Sequence, residues 1–225
     1  MANDSIDPYI AYRLIPPSYS TFEQFYICQR HVEDFEETQI YNNQMLESVE
    51  GGHCINCHAF QNYHTDRMQF HVRAEFGGTV IYDQGKMKKV DMKRGEAISS
   101  GVYPAWHPSL NLIAYSMNKT FQNFHTNLVG KVEVQDSQGD IVVYDVKQHK
   151  IIPVSTEPDK RAAFPTWSPD GKYLYYASAV FAYKDSAAMA EAPDIDQALQ
   201  REIIRRYEEV HYDIVRRAFD SEKHA

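Results

Sequence analysis

The sequence predicts an all-β chain: a partial β-propeller of four-stranded antiparallel blades, about two and a half of them after some N-terminal strands. One helical insert is expected near the C-terminus. Three observations lead there. Tyr103-Pro104-Ala105-Trp106-His107-Pro108 and Phe164-Pro165-Thr166-Trp167-Ser168-Pro169 repeat one pattern, with their tryptophans 61 residues apart. An apolar pair followed by Tyr-Asp recurs at Val80-Ile81-Tyr82-Asp83 and Val142-Val143-Tyr144-Asp145, and more loosely at Tyr212-Asp213. The chain is rich in aromatics, with Tyr 16 and Phe 11 among 225 residues, a composition that suits strands. A β-sandwich with accidental self-similarity is the competing architecture.

Each element follows in order. Strands are expected over Ile10 to Ile15 and Gln24 to Gln29. The first Tyr-Asp pair is followed by a polar turn, Gln84-Gly85-Lys86, and a strand from Met87 to Met92, which together read as a hairpin. The first Trp strand leads through a turn into Leu112-Ile113-Ala114-Tyr115-Ser116. A long insert is expected from Phe121 to Gly139, a candidate binding loop with Phe121 and Phe124 either exposed or packed over the blade. The second Tyr-Asp pair turns through Gln148-His149-Lys150 into Ile151 to Val154. Ser168-Pro169-Asp170-Gly171 is strong turn chemistry before Tyr173-Leu174-Tyr175-Tyr176-Ala177. Ile195, Leu199, Ile203, Tyr207 and Val210 have helical spacing, and Asp194 is placed to cap them. The alternation Tyr212, Ile214, Arg216, Ala218 reads as a third strand of an incomplete blade. This divides the chain into N-terminal strands (1–50), a first blade (51–100), a second with the insert (101–158) and a third, incomplete one with the helix (159–225). An incomplete set of blades leaves an edge open to pairing with another chain.

Composition narrows the function. A net charge of −8 repels phosphate backbones and argues against nucleic acid as a partner. No apolar run approaches the roughly 20 residues of a spanning helix, so no transmembrane segment is expected. The N-terminus has neither a basic start nor an apolar stretch, so no export signal is present in this chain. Either the protein stays in the cytosol, or a leader has been removed or lies upstream.

The chemistry concentrates in Gly51-Gly52-His53-Cys54-Ile55-Asn56-Cys57-His58. Cys-x-x-Cys-His is the spacing of a c-type haem attachment site. Cys54 and Cys57 would add to the two vinyl groups, and His58 would donate an axial nitrogen to the iron from beside them on a short turn. The sixth ligand is open, with Met68, His71 and His125 as candidates and His64 and His107 behind them; a five-coordinate iron is the remaining alternative. Three other readings stand beside haem. Zinc is one, with Cys28 and His31 supplying the remaining ligands. A redox pair is another, and purely structural cysteines the third. Met68 also alternates with Phe70 and Val72, as a core strand residue would. Haem c is attached outside the bacterial cytoplasm, so this motif favours an exported protein.

With these residues in view, the chain resembles TolB-like β-propellers. More closely, it is similar to bacterial extracytoplasmic propeller proteins of the Bacteroidetes type, whose members are described as TolB-like or cytochrome-c-like. The matching parts are Cys54 to Phe60, Met68 to Arg73, Gly77-Gly78-Thr79, Tyr103 to Pro108, Asp140 to Asp145 and Phe164 to Gly171, within a span from Asp7 to Asp220. The resemblance implies a periplasmic or cell-surface protein, lipid-anchored or secreted, with a family chain longer at both ends.

Common catalytic signatures are missing. There is no Gly-x-Ser-x-Gly elbow, no phosphate-binding Gly-x-x-x-x-Gly-Lys and no Gly-x-Gly-x-x-Gly. The acidic run Glu33-Asp34-Phe35-Glu36-Glu37 reads as a solvated face. Two functions are therefore expected to compete. One is a haem-bearing redox propeller. The other is a non-enzymatic module that presents loops to a protein or glycan partner, its cysteines structural or zinc-bound.

Overall fold

The computed structural model describes residues 7–17, 24–42, 45, 54–73, 77–93, 97–124, 132–184 and 193–220. The chain forms two compact units, one up to Met92 and one from Lys93 onward. Each holds two runs of antiparallel strands, and the architecture is all-β with one α-helix among the described residues.

The first unit begins with a three-stranded sheet, β1 (Tyr9–Leu14), β2 (Tyr26–His31) and β3 (Glu37–Asn42), joined in that order. The third strand departs from expectation: the acidic run supplies the turn, and Glu37 already belongs to β3. A four-stranded meander follows, β4 (Cys54–Gln61), β5 (His64–Arg73), β6 (Gly78–Asp83) and β7 (Lys86–Val90). Two tight turns set its register. Asn62 and Tyr63 both have positive φ, at 48° and 64°, between the paired Gln61 and His64. Gln84 and Gly85 do the same, at 48° and 81°, between Asp83 and Lys86. Two residues with positive φ match the right-handed twist of the flanking strands. Phe25, Ile27, Ile40 and Tyr41 pack on Ile55, Met68, Phe70, Val72 and Val80 to form the core of this unit.

The second unit contains a second meander, β8 (Val102–Trp106), β9 (Leu112–Phe124), β10 (Val132–Asp145) and β11 (Lys150–Ser155). The expected insert from Phe121 to Gly139 is no simple loop. The β9–β10 ladder continues through it from Asp145↔Leu112 out to Val132↔Phe124. A three-stranded run follows, β12 (Lys160–Trp167), β13 (Tyr173–Val180) and β14 (Asp213–Ala218), the last at the edge of its sheet among the described residues. The helix α1 (Ile195–Arg205) lies between β13 and β14 in sequence. Asp194 caps it, accepting from the Gln197 amide at 2.9 Å, and Leu199 and Ile203 turn into the protein.

The two runs of the second unit join at one parallel pair, Gly139↔Arg161. Only glycine fits there, because a Cβ on residue 139 would meet the Ala162 carbonyl oxygen at 2.9 Å. Leu112, Ala114, Ile141, Val143, Ile152 and Val154 from the four-stranded run pack on Ala162, Leu174 and Tyr176 from the next. Successive antiparallel meanders packed through an apolar face are the building units of a β-propeller. The partial propeller read from the repeats is thus the architecture of these sheets. No helix among the described residues is long and apolar enough to cross a membrane.

Candidate functional site

The Cys-x-x-Cys-His segment lies within a strand rather than on a turn. Cys54 to His58 open β4, and the ladder to β5 runs Cys54↔Arg73, Ile55↔Val72, Asn56↔His71 before slipping to Ala59↔Gln69. The slip is a bulge at Cys57 and His58, with Cys57 left-handed at φ 58°. The Gln69 side-chain amide donates to the Cys57 carbonyl, satisfying a group the bulge takes out of the ladder. Ile55 points into the core, while Cys54, Cys57 and His58 are half-buried, and neither cysteine forms a disulfide.

Arg13 on β1 reaches across to this segment. Its Nη1 donates to Asn56 Oδ1 at 3.3 Å, its Nη2 lies 3.9 Å from Cys54 Sγ, and its guanidinium stacks 4.7 Å from the Phe25 ring centroid. Burial lowers the His58 pKa, and the positive charge of Arg13 lowers it further. His58 packs edge-on against Phe60, ring centroids 5.7 Å apart.

This geometry gives the c-type haem reading no support: the Arg13 guanidinium lies against Asn56 and Cys54. The sixth-ligand candidates on β5 are placed no better. Met68 is fully buried in the apolar core. His71 is buried, with its Nδ1 3.4 Å from Thr79 Oγ1, and burial lowers its pKa to about 4, Arg73 adding to the shift. Both lie on the strand hydrogen-bonded to β4, and paired strands stand only about 4.8 Å apart, too close to admit a porphyrin between them. His64 is exposed at the start of β5, and His125 lies outside the described residues.

His107 has a structural task. Its Nδ1 accepts from the amides of Ser109 and Leu110 at 3.1 and 3.0 Å, which leaves Nε2–H to donate to the Gly171 carbonyl at 3.1 Å.

The zinc set is not assembled either. No group of three His, Cys, Asp or Glu side chains comes together among the described residues. Cys28 is fully buried, its thiol pushed up to about 11 by burial and by Glu37, and His31 Nδ1 accepts from the Glu33 amide at 3.2 Å while its ring meets the Tyr9 ring edge-on.

The arrangement that does stand out is on the second unit, at the two repeats. Tyr103 and Phe164 hold equivalent places in the pattern, 61 residues apart. Both sit at bulges, where β8 slips against β9 and β12 slips against β13. Both are left-handed, at φ 50° and 57°, which is a strained conformation for an aromatic residue. Each precedes a proline, a residue that strands tolerate at bulges. Their rings meet, with centroids 4.5 Å apart and planes inclined by 50°, yet the two residues stay 42% and 58% exposed.

The surroundings lock this pair. The Phe164 amide donates to Ser116 Oγ at 2.9 Å. Trp167 Nε1 donates to the Ala105 carbonyl at 3.0 Å, and the Trp167 ring meets His107 edge-on at 4.7 Å. Repeat thus docks on repeat through matching positions. The sequence quotes both aromatics as landmarks, but their positive φ and their mutual contact become visible only when the two bulges are set side by side.

No family model matches the chain, and no curated protein matches it. Solved structures resemble it weakly. One is from a structural and mechanistic study of two prolyl endopeptidases, at 17% identity over 78% of this chain and 25% of that one, with a TM-score of 0.48. The tricorn protease is similar at 19% identity over 76% of this chain and 14% of that one, TM-score 0.45. TolB from Acinetobacter baumannii is similar at 12% identity over 77% of this chain and 50% of that one, TM-score 0.37. The chain spans a quarter or less of the first two and half of the third.

Proposed function

We propose that this chain is a non-enzymatic binding module of propeller type, and that Tyr103 and Phe164 form the centre of its contact surface. One observation carries this reading: two matching aromatic residues are held in a strained backbone conformation, locked from behind, and left half-exposed against each other. Strain that the surroundings enforce gathers at ligand clamps and active sites. Aromatic anchors on a rigid support contribute much contact area at little entropic cost.

The partner is a protein. Rings inclined by 50° offer no shared flat platform for a sugar, but they frame a notch for one projecting side chain. The Cys54–His58 segment serves as a structural strand in this reading.

The test is site-specific photo-crosslinking of the full chain in cells that make it. A benzophenone side chain placed at position 103 or 164 should yield one and the same protein adduct. The same group at exposed Tyr9 should not yield it, and Phe164→Ala should abolish the adduct formed from position 103. Adducts that form equally from all three positions, or none from 103 and 164, would overturn the proposal.

A further inference from the structure

The second unit carries a cavity of about 560 Å³ that the aromatic pair does not use. Its floor follows from strand alternation. On β10, Ile141 and Val143 point into the core shared with β12 and β13, so Gln138, Asp140 and Val142 turn to the opposite face. Met117 of β9 stands opposite Asp140 in register, and Pro153 of β11 stands opposite Val142. Ala97, Ile98, Ile151 and Pro158 complete a mostly apolar wall. The volume is that of a pocket for a small organic molecule.

Three charged groups open on this space: Asp140, Glu157 and Lys160. Two of them neutralise each other. Glu157 accepts from Ser155 Oγ at 2.7 Å and from Lys160 Nζ at 3.0 Å. The Asp140 side chain makes no hydrogen bond or ion pair among the described residues. Its carboxylate is the cavity's unbalanced charge, set among apolar side chains beside a second carboxylate.

We infer that this cavity binds a small organic cation, a primary ammonium on an apolar body, with Asp140 receiving the charged head and the wall of Met117, Val142 and Ile151 receiving the body. Burial and the nearby Glu157 raise the Asp140 pKa, which is the penalty a bound cation would relieve. Anions meet the opposite field and are rejected. The site is independent of the aromatic pair, and its failure would leave the protein-docking proposal untouched.

The experiment uses the full chain with 13C-labelled methionine methyls, which place any binding event at Met117. The probes are 2-phenylethylammonium, 3-phenylpropan-1-ol and 3-phenylpropanoate, three ions or molecules of similar shape and different charge. The ammonium should shift the Met117 methyl saturably, the alcohol should bind at least about tenfold more weakly, and the carboxylate should leave the signal in place. Asp140→Asn should weaken the ammonium about tenfold without moving the melting temperature or the other methyl signals. Glu157→Gln removes the second carboxylate from the cavity and leaves the Lys160 charge unneutralised, and should weaken it as well, which keeps the test open if Asp140→Asn fails to fold. Equal affinity for the three probes, ammonium binding unchanged in both variants, or no Met117 shift up to about 10 mM overturns the inference.

Discussion

The Arg161 guanidinium lies 4.4 Å over the Phe181 ring and donates from Nη1 to the Phe181 carbonyl at 2.6 Å, so one residue both stacks on and tethers the segment leaving β13. Tyr183 covers it further at 4.9 Å, and Arg161 is 1% exposed. Its Nε and Nη2 are buried without a hydrogen bond among the described residues. Arg161→Ala should cost about 3 kcal/mol, since it empties the site and frees the Phe181 carbonyl. Arg161→Met keeps most of the volume and removes the buried charge but also frees the Phe181 carbonyl, and should cost less, about 1–2 kcal/mol. Chemical denaturation of the two variants checks the order.

Gly171 and Gly85 both have positive φ, at 73° and 81°, but their surroundings differ. A Cβ on residue 171 would meet the His107 ring at 2.3 Å, whereas one on residue 85 meets nothing within 4 Å. Gly85→Ala should therefore cost only the conformational penalty, about 1 kcal/mol. Gly171→Ala adds a clash with a ring that is itself hydrogen-bonded, and should cost about 3 kcal/mol or more. Thermal unfolding of the pair separates strain from crowding.

Acid should loosen the first unit through His71. Its folded pKa, about 4, lies below the usual value of 6.5, so the unfolded chain binds the proton more readily. The stability it contributes is full above pH 6.5 and drains away as pH falls from 6.5 to about 4, by about 3 kcal/mol in all. His58 and His107, also depressed by burial, act in the same direction. Urea midpoints at pH 7.5 and 4.5 measure the loss, and His71→Gln should flatten it.

The three cysteines should separate by reactivity. Cys54 and Cys57 are half-buried and Cys28 is fully buried with a raised pKa. Under native conditions an alkylating reagent should modify two thiols, and three after denaturation, as read by intact mass. Material produced together with a haem c maturation system should show the same two reactive thiols and no Soret band.

Much of the fold was legible because its signals are local. The paired Trp strands, the Tyr-Asp hairpins at Tyr82-Asp83 and Tyr144-Asp145, the Ser168–Gly171 turn and the Asp194 cap are each written within a few residues. β3 was hidden because its opening residue, Glu37, belongs to an acidic run, and only the buried Ile40 and Tyr41 mark its inner face. The long β9–β10 hairpin was hidden because its outer part is polar; Asp136 is held by Asn118 and Thr120 across the ladder, at 2.6 and 2.5 Å.

The site was less legible. Cys-x-x-Cys-His announces itself by spacing, but its backbone is set by a bulge that Gln69, twelve residues on, completes. Arg13, forty-one residues before Cys54, decides what lies beside the thiol. Neither partner can be found from the motif.

The join of Tyr103 to Phe164 has a wider meaning, because each ring belongs to a repeating unit. In the proposed docking mode, a side chain seated between the two rings would touch both repeats at once, so removing either ring would open the notch on one side.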